Sequence, residues 1–586
     1  MTGGWRLAVL SWSFLLAAGL LLGKLFYWQV LSSDRLLALA QAQQQTTIEL
    51  PARRGEILFS DGSPLVANQP GYLAYLIRED DTDKPEAIAE TLAPIVFNSL
   101  TISATPSSQL SLSAVNELIK AAAAALTERL ADLNFKWIPI GRKLNSAQKA
   151  KLEATGYKIY FEDDQSRFYP EASMAAHLTG FIGSNEKGTD LGYGGLEGYY
   201  QQDLAGRPGI VRQEKDAFNQ PILIGSYALQ EKKDGRQLTL NLNKGLQFMV
   251  EKRLKKALDQ YGAKAGSVTV MDPKTGAVLA MASLPSYDAA EFNRYDPSLY
   301  LNPVVAEAFE PGSIFKVIIM ASALDVQVVE PDTICDICSG PVKVDKYTIN
   351  TWNDEYRPNS TVTDVIINSD NVGMVFVGQK LGLDKFLPYY HKFGFGDKTG
   401  IDLQDEVVPA GRTDGQWTFV DMATASFGQG FVATGMQLLA AVGAIANDGE
   451  LIAPQVVKSV TGPDQQLILP VKSKGQVVSK EAADQITAMM VAAAKTGEAK
   501  WTAVPGYNIA GKTGTAQVAV GGKYSSEKTN ASFIGFAPAD NPKFVMLVTL
   551  KEPSSSPWAS ETAAPLWFQI SQELLNHFNV VPNPNR

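Results

Sequence analysis

The sequence is poor in the residues from which many catalytic centres are built. Its 586 residues include three histidines, His177, His391 and His577, and two cysteines. A Ser-His-Asp triad or a histidine–cysteine metal site would have to be assembled from this small set. The net charge of −9 argues against nucleic acid as a partner. These shortages favour a lysine-based mechanism, and neither a metal ion nor an organic cofactor is implied.

The two cysteines form a Cys-x-x-Cys pair at Cys335 and Cys338. No strand-turn-helix setting typical of a redox motif surrounds them, and the second pair that a zinc site needs is absent. Two free thiols or a local disulfide are therefore better interpretations than redox catalysis.

One long, uncharged and mostly apolar run extends from Leu7 to Gly23, and an aromatic cluster typical of a membrane interface follows Lys24. Since no small-residue cleavage site accompanies the run, it predicts an uncleaved anchor rather than a signal peptide. Arg6 and the α-amine favour a cytoplasmic N-terminus, although Lys24 and Arg35 weaken this charge bias. Because no second spanning segment follows, we expect a single-pass protein whose bulk is extracytoplasmic.

Residues 32–209 follow the anchor, and no chemistry is visible in their alanine-rich stretch at about 80–155. A helix is predicted at about 32–45, with strand and turn at 49–57. Alanine-rich helical pieces at about 80–155 predict an inserted helical lobe. The glycine- and tyrosine-rich stretch 166–209 is interpreted as a packed scaffold of turns. His177 in that stretch is interpreted as structural, because no serine or cysteine elbow accompanies it.

A second domain is predicted to begin near Asp234-Gly235. Its pattern describes an antiparallel sheet covered by terminal helices, with helical material inserted in the middle. The predicted elements are a strand at 238–240, a helix through Leu246, Val250, Leu254 and Leu258, a hairpin at 267–271 and 277–282, strands at 509–520, 531–536 and 544–550, and a last helix at 565–574.

The stretch Glu-Pro-Gly-Ser-Ile-Phe-Lys at 310–316 opens an apolar helix and carries a candidate nucleophile. Ser313 stands three residues before Lys316, so both side chains share a helical face and the amine can reach the hydroxyl. The Pro-Gly turn places Ser313 at a helix N-terminus, where free backbone N–H groups can hold an oxyanion. Burial would lower the pKa of Lys316 toward the neutral amine that accepts a proton from serine. Other Ser-x-x-Lys matches lie in polar or glycine-rich surroundings, at Ser146, Ser184 and Ser525.

Ser369-Asp370-Asn371 follows between two apolar segments. The tripeptide fits a helix cap, since serine and aspartate both cap well. In a functional interpretation, its hydroxyl and amide face one cleft, where Ser369 relays protons and Asn371 holds a substrate amide.

Lys-Thr-Gly occurs four times, and the copy at Lys512 lies within a predicted strand. Gly511 and Gly514 remove side chains where another backbone would come close. On an edge strand, Lys512, Thr513 and Thr515 could meet the carboxylate of an added extended peptide. The other copies are explained by a turn, a loop and a helix end, at Lys274, Lys398 and Lys495.

In this chain order, Ser-x-x-Lys, Ser-Asp-Asn and Lys-Thr-Gly resemble the signature of penicillin-interacting serine enzymes. With its anchor, the chain is similar to class B penicillin-binding proteins over nearly its full length. The further segments that carry the resemblance are Arg54–Ile57, Arg167–Pro170, Gly195–Glu197, Ser426–Gly430 and Gly511–Gln517. One departure is Phe59-Ser60, which stands where such proteins usually carry Asp-Arg and concerns the pedestal rather than the active site.

The resemblance implies a D,D-transpeptidase that crosslinks peptidoglycan stem peptides through a Ser313 acyl-enzyme and is acylated by β-lactams. Lys316 would be the base, Ser369 would pass a proton to the leaving D-alanine, and Asn371 would hold the donor amide. The implied oxyanion hole consists of the backbone N–H groups of Ser313 and Thr515. The terminal carboxylate of the donor would be bound by Lys512, Thr513, Gly514 and Thr515. Lys512 also counts among the implied catalytic residues.

The implied fold is of the α/β (α+β) class, with a penicillin-binding, serine β-lactamase-like transpeptidase domain on an N-terminal α+β pedestal. We expect a cytoplasmic tip and transmembrane anchor at 1–31, a dimerisation-like pedestal at 32–235 with a helical insertion around 80–155, and the transpeptidase domain at 236–586. Family members commonly work beside a multispanning glycosyltransferase, which is the expected partner in the cell membrane.

Two other functions stay open. A hydrolase of the carboxypeptidase or β-lactamase kind would use the same serine and pass the acyl group to water. The retained anchor and long pedestal argue against it. A non-enzymatic β-lactam sensor or scaffold would use the fold for binding alone, and the intact set of three motifs argues against that function.

Overall fold

The computed structural model describes residues 4–37, 45–77, 84–97, 112–132, 137–185, 189–214, 227–502, 504–520 and 523–583. The chain divides into two compact units, each described by itself. The first comprises Met1–Arg54 and Ala205–Gly235, and the second comprises Gly55–Leu204 and Arg236–Arg586.

The first unit begins with the apolar helix predicted from the sequence. It runs over Gly4–Phe26 and continues as a π-helix, Tyr27–Leu31. None of its residues is buried against protein, and the 28-residue stretch is long and apolar enough to cross a membrane. The helix is followed by an antiparallel sheet in the order Gln45–Leu50, Gly209–Glu214 and Tyr227–Gln230. The helix predicted at 32–45 falls outside the described residues beyond position 37.

One sheet of the second unit combines strands from distant parts of the chain. Its order is Gln466–Ile468, Val457–Thr461, Gln237–Leu240, Ile57–Leu58, Pro64–Gln69 and Ser166–Phe168. The strand predicted at 238–240 is confirmed, and it pairs in parallel with Ile57–Leu58. Strands from both sides of residue 235 thus share a sheet, and the domain boundary there stays a prediction.

The insertion predicted as helical also contains a strand. Its described helices are Pro85–Phe97, Leu112–Ala131 and Ser146–Glu153, beside an antiparallel sheet in the order Trp137–Leu144, Tyr72–Ile77 and Ile159–Asp163. Ile138, Ile140 and Leu144 enter the small core that the helices cover. Pro139 and Gly141 weaken the local strand signal, because both are disfavoured inside strands. Pairing with Tyr72–Ile77 therefore fixes a strand that the sequence pattern did not predict.

The stretch 166–209 is a scaffold of short elements, as predicted. They are the helices Ala176–Thr179, Gly195–Tyr199 and Gln201–Ala205 and the hairpin strands Phe181–Ser184 and Asp190–Tyr193. His177 is buried with its ring edge-on to Tyr287. Burial lowers the pKa of His177 to about 4, against smaller opposing effects of Leu299 and Glu307. The imidazole is therefore neutral at neutral pH, which fits the structural role predicted for it.

A buried ion pair joins two segments of this scaffold. Arg167 Nε–H donates to Glu197 Oε1 at 2.7 Å, and Arg167 Nη1–H donates to Asn68 Oδ1 at 2.8 Å. The Arg167 and Glu197 side chains are only 6% and 0% exposed. Because the guanidinium is almost excluded from solvent, its charge is compensated within the protein, and the pair ties Arg167 to the helix Gly195–Tyr199.

We expect Glu197→Ala to lower the free energy of unfolding by about 3–5 kcal/mol, because it leaves a buried cation uncompensated. Denaturant unfolding of the variant and the wild type measures this difference. Glu355→Ala is the matched control, since Glu355 pairs with Arg357 at 2.9 Å in solvent and such pairs contribute about 0–1 kcal/mol. Equal losses in the two variants would contradict the prediction.

The antiparallel sheet predicted for the second domain is confirmed, and it has five strands. Its order is Val278–Leu284, Ala265–Met271, Phe544–Lys551, Lys523–Ala537 and Ala510–Val520. The terminal helices Lys244–Tyr261 and Ala563–His577 share a core with it, in which Trp567 packs against Phe533 and Phe544. The strand with the Lys512 motif lies at one edge of this order.

The remaining elements of the second unit connect the hairpin to the last strands. The helices are Pro303–Ala306, Lys316–Asp325, Val362–Ile367, Asn371–Leu381, Leu383–Lys392, Phe419–Ala425, Gly435–Ala446 and Lys480–Thr496. Short strand pairs are Ala308–Phe309 with Ala433–Thr434, Val342–Val344 with Tyr347–Ile349, and Glu450–Ile452 with Ser473–Gln476. Cys335 and Cys338 form a disulfide, one of the two states expected for them.

Candidate active site

Ser313 lies in a tight turn that leads into a buried helix. Gly312–Phe315 form a 3₁₀ turn, and Lys316–Asp325 continue it as an α-helix that is buried up to its last residue. The Gly312 N–H donates to the Gly428 carbonyl at 2.9 Å. Gly428 has φ +85°, and a Cβ there would lie 1.9 Å from the Gly312 carbonyl oxygen. The backbone of the Ser426–Gly430 segment thus supports the Ser313 turn directly.

Lys316 points from this helix to the Ser369-Asp370-Asn371 motif. Its Nζ donates to the Ser369 carbonyl at 2.6 Å and to Asn371 Oδ1 at 2.7 Å, and it lies 3.4 Å from Ser369 Oγ. From the sequence, the Lys316 amine is expected to reach the Ser313 hydroxyl. These three contacts instead join it to residues more than 50 positions away in the chain. A local helical face cannot reveal such partners.

The Ser369-Asp370-Asn371 motif forms a helix cap, and its Ser369 and Asn371 line the cleft beside Ser313. Asp370 caps the helix Asn371–Leu381, because its Oδ1 accepts from the Val372 and Gly373 N–H groups. Ser369 adopts φ +55°, a left-handed conformation that few non-glycine residues adopt. The cap and this backbone conformation hold Ser369 and Asn371 toward the same cleft.

Lys512 approaches the same serine from the edge strand. Its Nζ donates to Ser369 Oγ at 2.9 Å and lies 3.2 Å from both the Thr513 carbonyl and Thr513 Oγ1. The Thr513 hydroxyl donates to Glu498 Oε2 at 2.6 Å. Ser369 Oγ is therefore placed between two lysine side chains that come from different parts of the chain.

Gly514 and Thr515 bring the edge strand against the Ser313 turn. A Cβ at Gly514 would lie 2.7 Å from Ile314 Cγ2 and 3.3 Å from the Pro311 carbonyl oxygen. This contact agrees with the close approach predicted from the glycine. Thr515 Oγ1 accepts from the Ala559 N–H at 3.1 Å, which leaves its own proton free to donate.

Burial lowers the pKa of both lysines. Burial and then the charge of Lys512 lower the pKa of Lys316 well below its ordinary value, although Glu498 and Asp370 oppose this shift. Burial also lowers the pKa of Lys512, again against the charge of Glu498. A neutral Lys316 amine has two N–H groups, which the Ser369 carbonyl and Asn371 Oδ1 accept. One lone pair remains available to take a proton.

The structure places five of the sequence-predicted site residues in the lining of one cleft, and these are Ser313, Ser369, Asn371, Thr513 and Thr515. Lys316 and Lys512 reach this cleft through their contacts with Ser369, and Gly514 lies against the Ser313 turn. The cleft lining also includes residues that sequence reasoning did not single out, and these are Trp352, Phe427, Gln429, Glu498 and Trp558. Trp352 and Trp558 meet with ring centroids 5.2 Å apart at the cleft wall. Phe427 and Gln429 belong to a segment that carried the resemblance, whereas Glu498 had no motif to mark it. Among the described residues, no group of three or more His, Cys, Asp or Glu side chains could hold a metal ion.

Comparison with known protein families decides the assignment. Residues 266–572 match the penicillin binding protein transpeptidase domain, and residues 49–240 match the penicillin-binding protein dimerisation domain. The chain belongs to the penicillin-binding protein transpeptidase family. This transpeptidase-family chain is 32% identical to stage V sporulation protein D of Bacillus subtilis, over 96% of the chain and 84% of that relative. It is 27% identical to the peptidoglycan D,D-transpeptidase FtsI of Escherichia coli, over 99% of the chain and 93% of FtsI.

Solved structures agree with this membership. A peptidoglycan synthetase from Bifidobacterium adolescentis is 26% identical, with a TM-score of 0.71 over 92% of this penicillin-binding protein and 98% of that chain. Penicillin binding protein 3 of Mycobacterium tuberculosis, solved in complex with aztreonam, is 25% identical with a TM-score of 0.68, over 92% and 98% of the two chains. The fold predicted from the resemblance is thereby confirmed.

Proposed function

We propose that this protein is a peptidoglycan D,D-transpeptidase that crosslinks stem peptides and is acylated by β-lactams at Ser313. The observation that carries the proposal is the meeting of Lys316 and Lys512 at Ser369 Oγ, beside the Ser313 turn. This arrangement supplies a nucleophile, a neutral base and a proton relay in a partly desolvated cleft.

In the acylation step, Ser313 Oγ attacks the carbonyl carbon of the penultimate D-alanine and its proton passes to the Lys316 amine. The backbone N–H groups of Ser313 and Thr515 hold the oxyanion. The C–N bond then breaks, and Ser369 Oγ delivers a proton to the leaving D-alanine nitrogen while Lys316 or Lys512 replaces it. Asn371 holds the donor amide. The terminal carboxylate of the donor is bound by Lys512, Thr513 and Thr515, and Gly514 allows the close approach.

In the second step, the amine of a neighbouring stem peptide attacks the ester carbon. A new amide bond forms, the ester C–O bond breaks, and Ser313 recovers its proton. A hydrolase would pass the same acyl group to water. The two outcomes therefore differ only in the acceptor, which the cleft selects by excluding water.

The test is a transfer assay with the full chain in detergent, using a donor that ends in D-Ala-D-Ala and an amine acceptor. Transpeptidation predicts release of D-alanine together with the amide product, and loss of both in Ser313→Ala. Release of D-alanine with free acid as the main product at high acceptor concentration would indicate a carboxypeptidase. No release by a protein that β-lactams still acylate would indicate a sensor.

The membrane helix Gly4–Leu31 supports a single-pass anchor with the catalytic part extracytoplasmic. Protease added outside intact spheroplasts should then digest the chain beyond the anchor, and protection of that part would contradict this topology. The same proposal divides the chain into an anchor at 1–31, a pedestal at 32–235 and a transpeptidase domain at 236–586. It also includes a multispanning glycosyltransferase as the partner.

A further inference from the structure

Glu498 places a carboxylate inside the cleft that the mechanism above does not use. It lines the cleft with Ser313 and Asn371. The Thr513 hydroxyl donates to Glu498 Oε2 at 2.6 Å and accepts from Lys512 Nζ at 3.2 Å. A hydroxyl has one proton to donate. The Thr513 proton is therefore committed to Glu498 and is not available to a second carboxylate.

The position of Glu498 is unfavourable by local rules. The residue comes directly after Gly497, which caps the C-terminal end of the helix Lys480–Thr496. This end of a helix carries partial negative charge, so a carboxylate there is not stabilised by the helix. The groups that stabilise it are the Thr513 hydroxyl and the neighbouring lysines of the cleft. A residue that violates a local rule next to reactive groups is a candidate for function.

We propose that Glu498 is a positioning residue. In the free enzyme, its carboxylate accepts the Thr513 hydrogen bond and interacts with the lysine charges that the donor's terminal carboxylate requires. The inference rests on the proposed function, because it concerns the same carboxylate site. An entering donor has to take the Thr513 proton from Glu498 and meets a second negative charge. Glu498 thereby sets the discrimination between ligands with and without a free carboxylate.

Glu498→Gln tests this role with almost no change of shape. The glutamine amide has no charge, and its N–H can donate to Thr513 Oγ1, which frees the threonine proton for the ligand. Glu481→Gln is the matched control, because it removes the same charge from an exposed position at the other end of the same helix. Both variants should unfold cooperatively near the wild-type temperature.

The measurement is the second-order rate constant for acylation by benzylpenicillin, which has a free carboxylate, and by its methyl ester, which has none. We expect the ratio of the two constants to rise about two- to tenfold in Glu498→Gln, the value of one hydrogen bond, and to stay unchanged in Glu481→Gln. Glu498→Ala, which removes the acceptor, should change the ratio in the same direction. An unchanged or lower ratio in Glu498→Gln would overturn the proposal.

The pH profile gives a second readout that a merely structural residue would not move. Lys512, Asp370 and Glu498 are the charged groups that act on Lys316, and Glu498 raises the pKa of Lys316. Removing that charge should move the acid limb of the acylation profile to lower pH for both ligands. An unmoved limb would show that Lys316 does not sense Glu498. Failure of the wild type to be acylated would instead contradict the proposed function itself.

Discussion

Replacing Lys316 by methionine should lower the rate constant for acylation by benzylpenicillin by about 100- to 10,000-fold, the usual contribution of a general base. The physical reason is that burial and the charge of Lys512 lower the pKa of Lys316, which favours the neutral amine that can act as a base. Methionine fills a similar volume in the buried helix but offers no lone pair that can accept the Ser313 proton. The variant should therefore fold and fail to react. Time courses of acylation at several benzylpenicillin concentrations measure this rate constant.

The control for this prediction is Lys398→Met. Lys398 also begins a Lys-Thr-Gly copy, but it is exposed in a loop. Its replacement should leave acylation within about twofold of the wild type, because surface substitutions away from special features have small effects. Acylation of Lys316→Met at the wild-type rate would show that another group takes the proton.

Gly428→Ala should lower acylation by about 100-fold, since displacing reacting groups by about 1 Å has effects of this size. The added Cβ would lie 1.9 Å from the Gly312 carbonyl oxygen, which is backbone and cannot rotate away. Either the Ser313 turn or the Ser426–Gly430 segment must move. We also expect the free energy of unfolding to fall by about 2–4 kcal/mol. Acylation kinetics and denaturant unfolding measure the two effects.

Gly62→Ala separates backbone strain from displacement of the active site. Gly62 has the same φ of +85°, but nothing lies within 4 Å of an added Cβ. This variant should lose about 1–2 kcal/mol of stability, because an L-residue is strained in the left-handed conformation, and it should retain wild-type acylation. If Gly428→Ala also retained wild-type acylation, the contact between Gly428 and Gly312 would have no part in placing Ser313.

Elements with a strong local signal were predictable from the sequence. The helix Lys244–Tyr261 follows from leucines and valine at helical spacing, and Gly262 ends it in a left-handed conformation. The buried helix after Ser313 and the strand around Lys512 follow from apolar runs and glycine placement. The strand Trp137–Leu144 was not predictable, because its pairing with Tyr72–Ile77 overrides the proline and glycine within it.

The candidate site was likewise predictable only where it carries a local sequence signal. Ordered motifs located Ser313, Ser369 and Lys512, because each motif is short and local. The hydrogen bonds of Lys316 to Ser369 and Asn371, and that of Thr513 to Glu498, join residues that only the tertiary fold brings together. Glu498 in particular has no spacing or composition that distinguishes it from a solvated glutamate at a helix end.

Intact mass after incubation with benzylpenicillin, on the wild type and on Ser313→Ala, shows whether Ser313 is the nucleophile. We expect a single stable adduct on the wild type and no adduct on the variant. Its persistence over hours would fit a transpeptidase, whereas rapid loss with hydrolysed drug would indicate a β-lactamase. An adduct of equal yield on Ser313→Ala, or no adduct on either protein, would contradict Ser313 as the nucleophile.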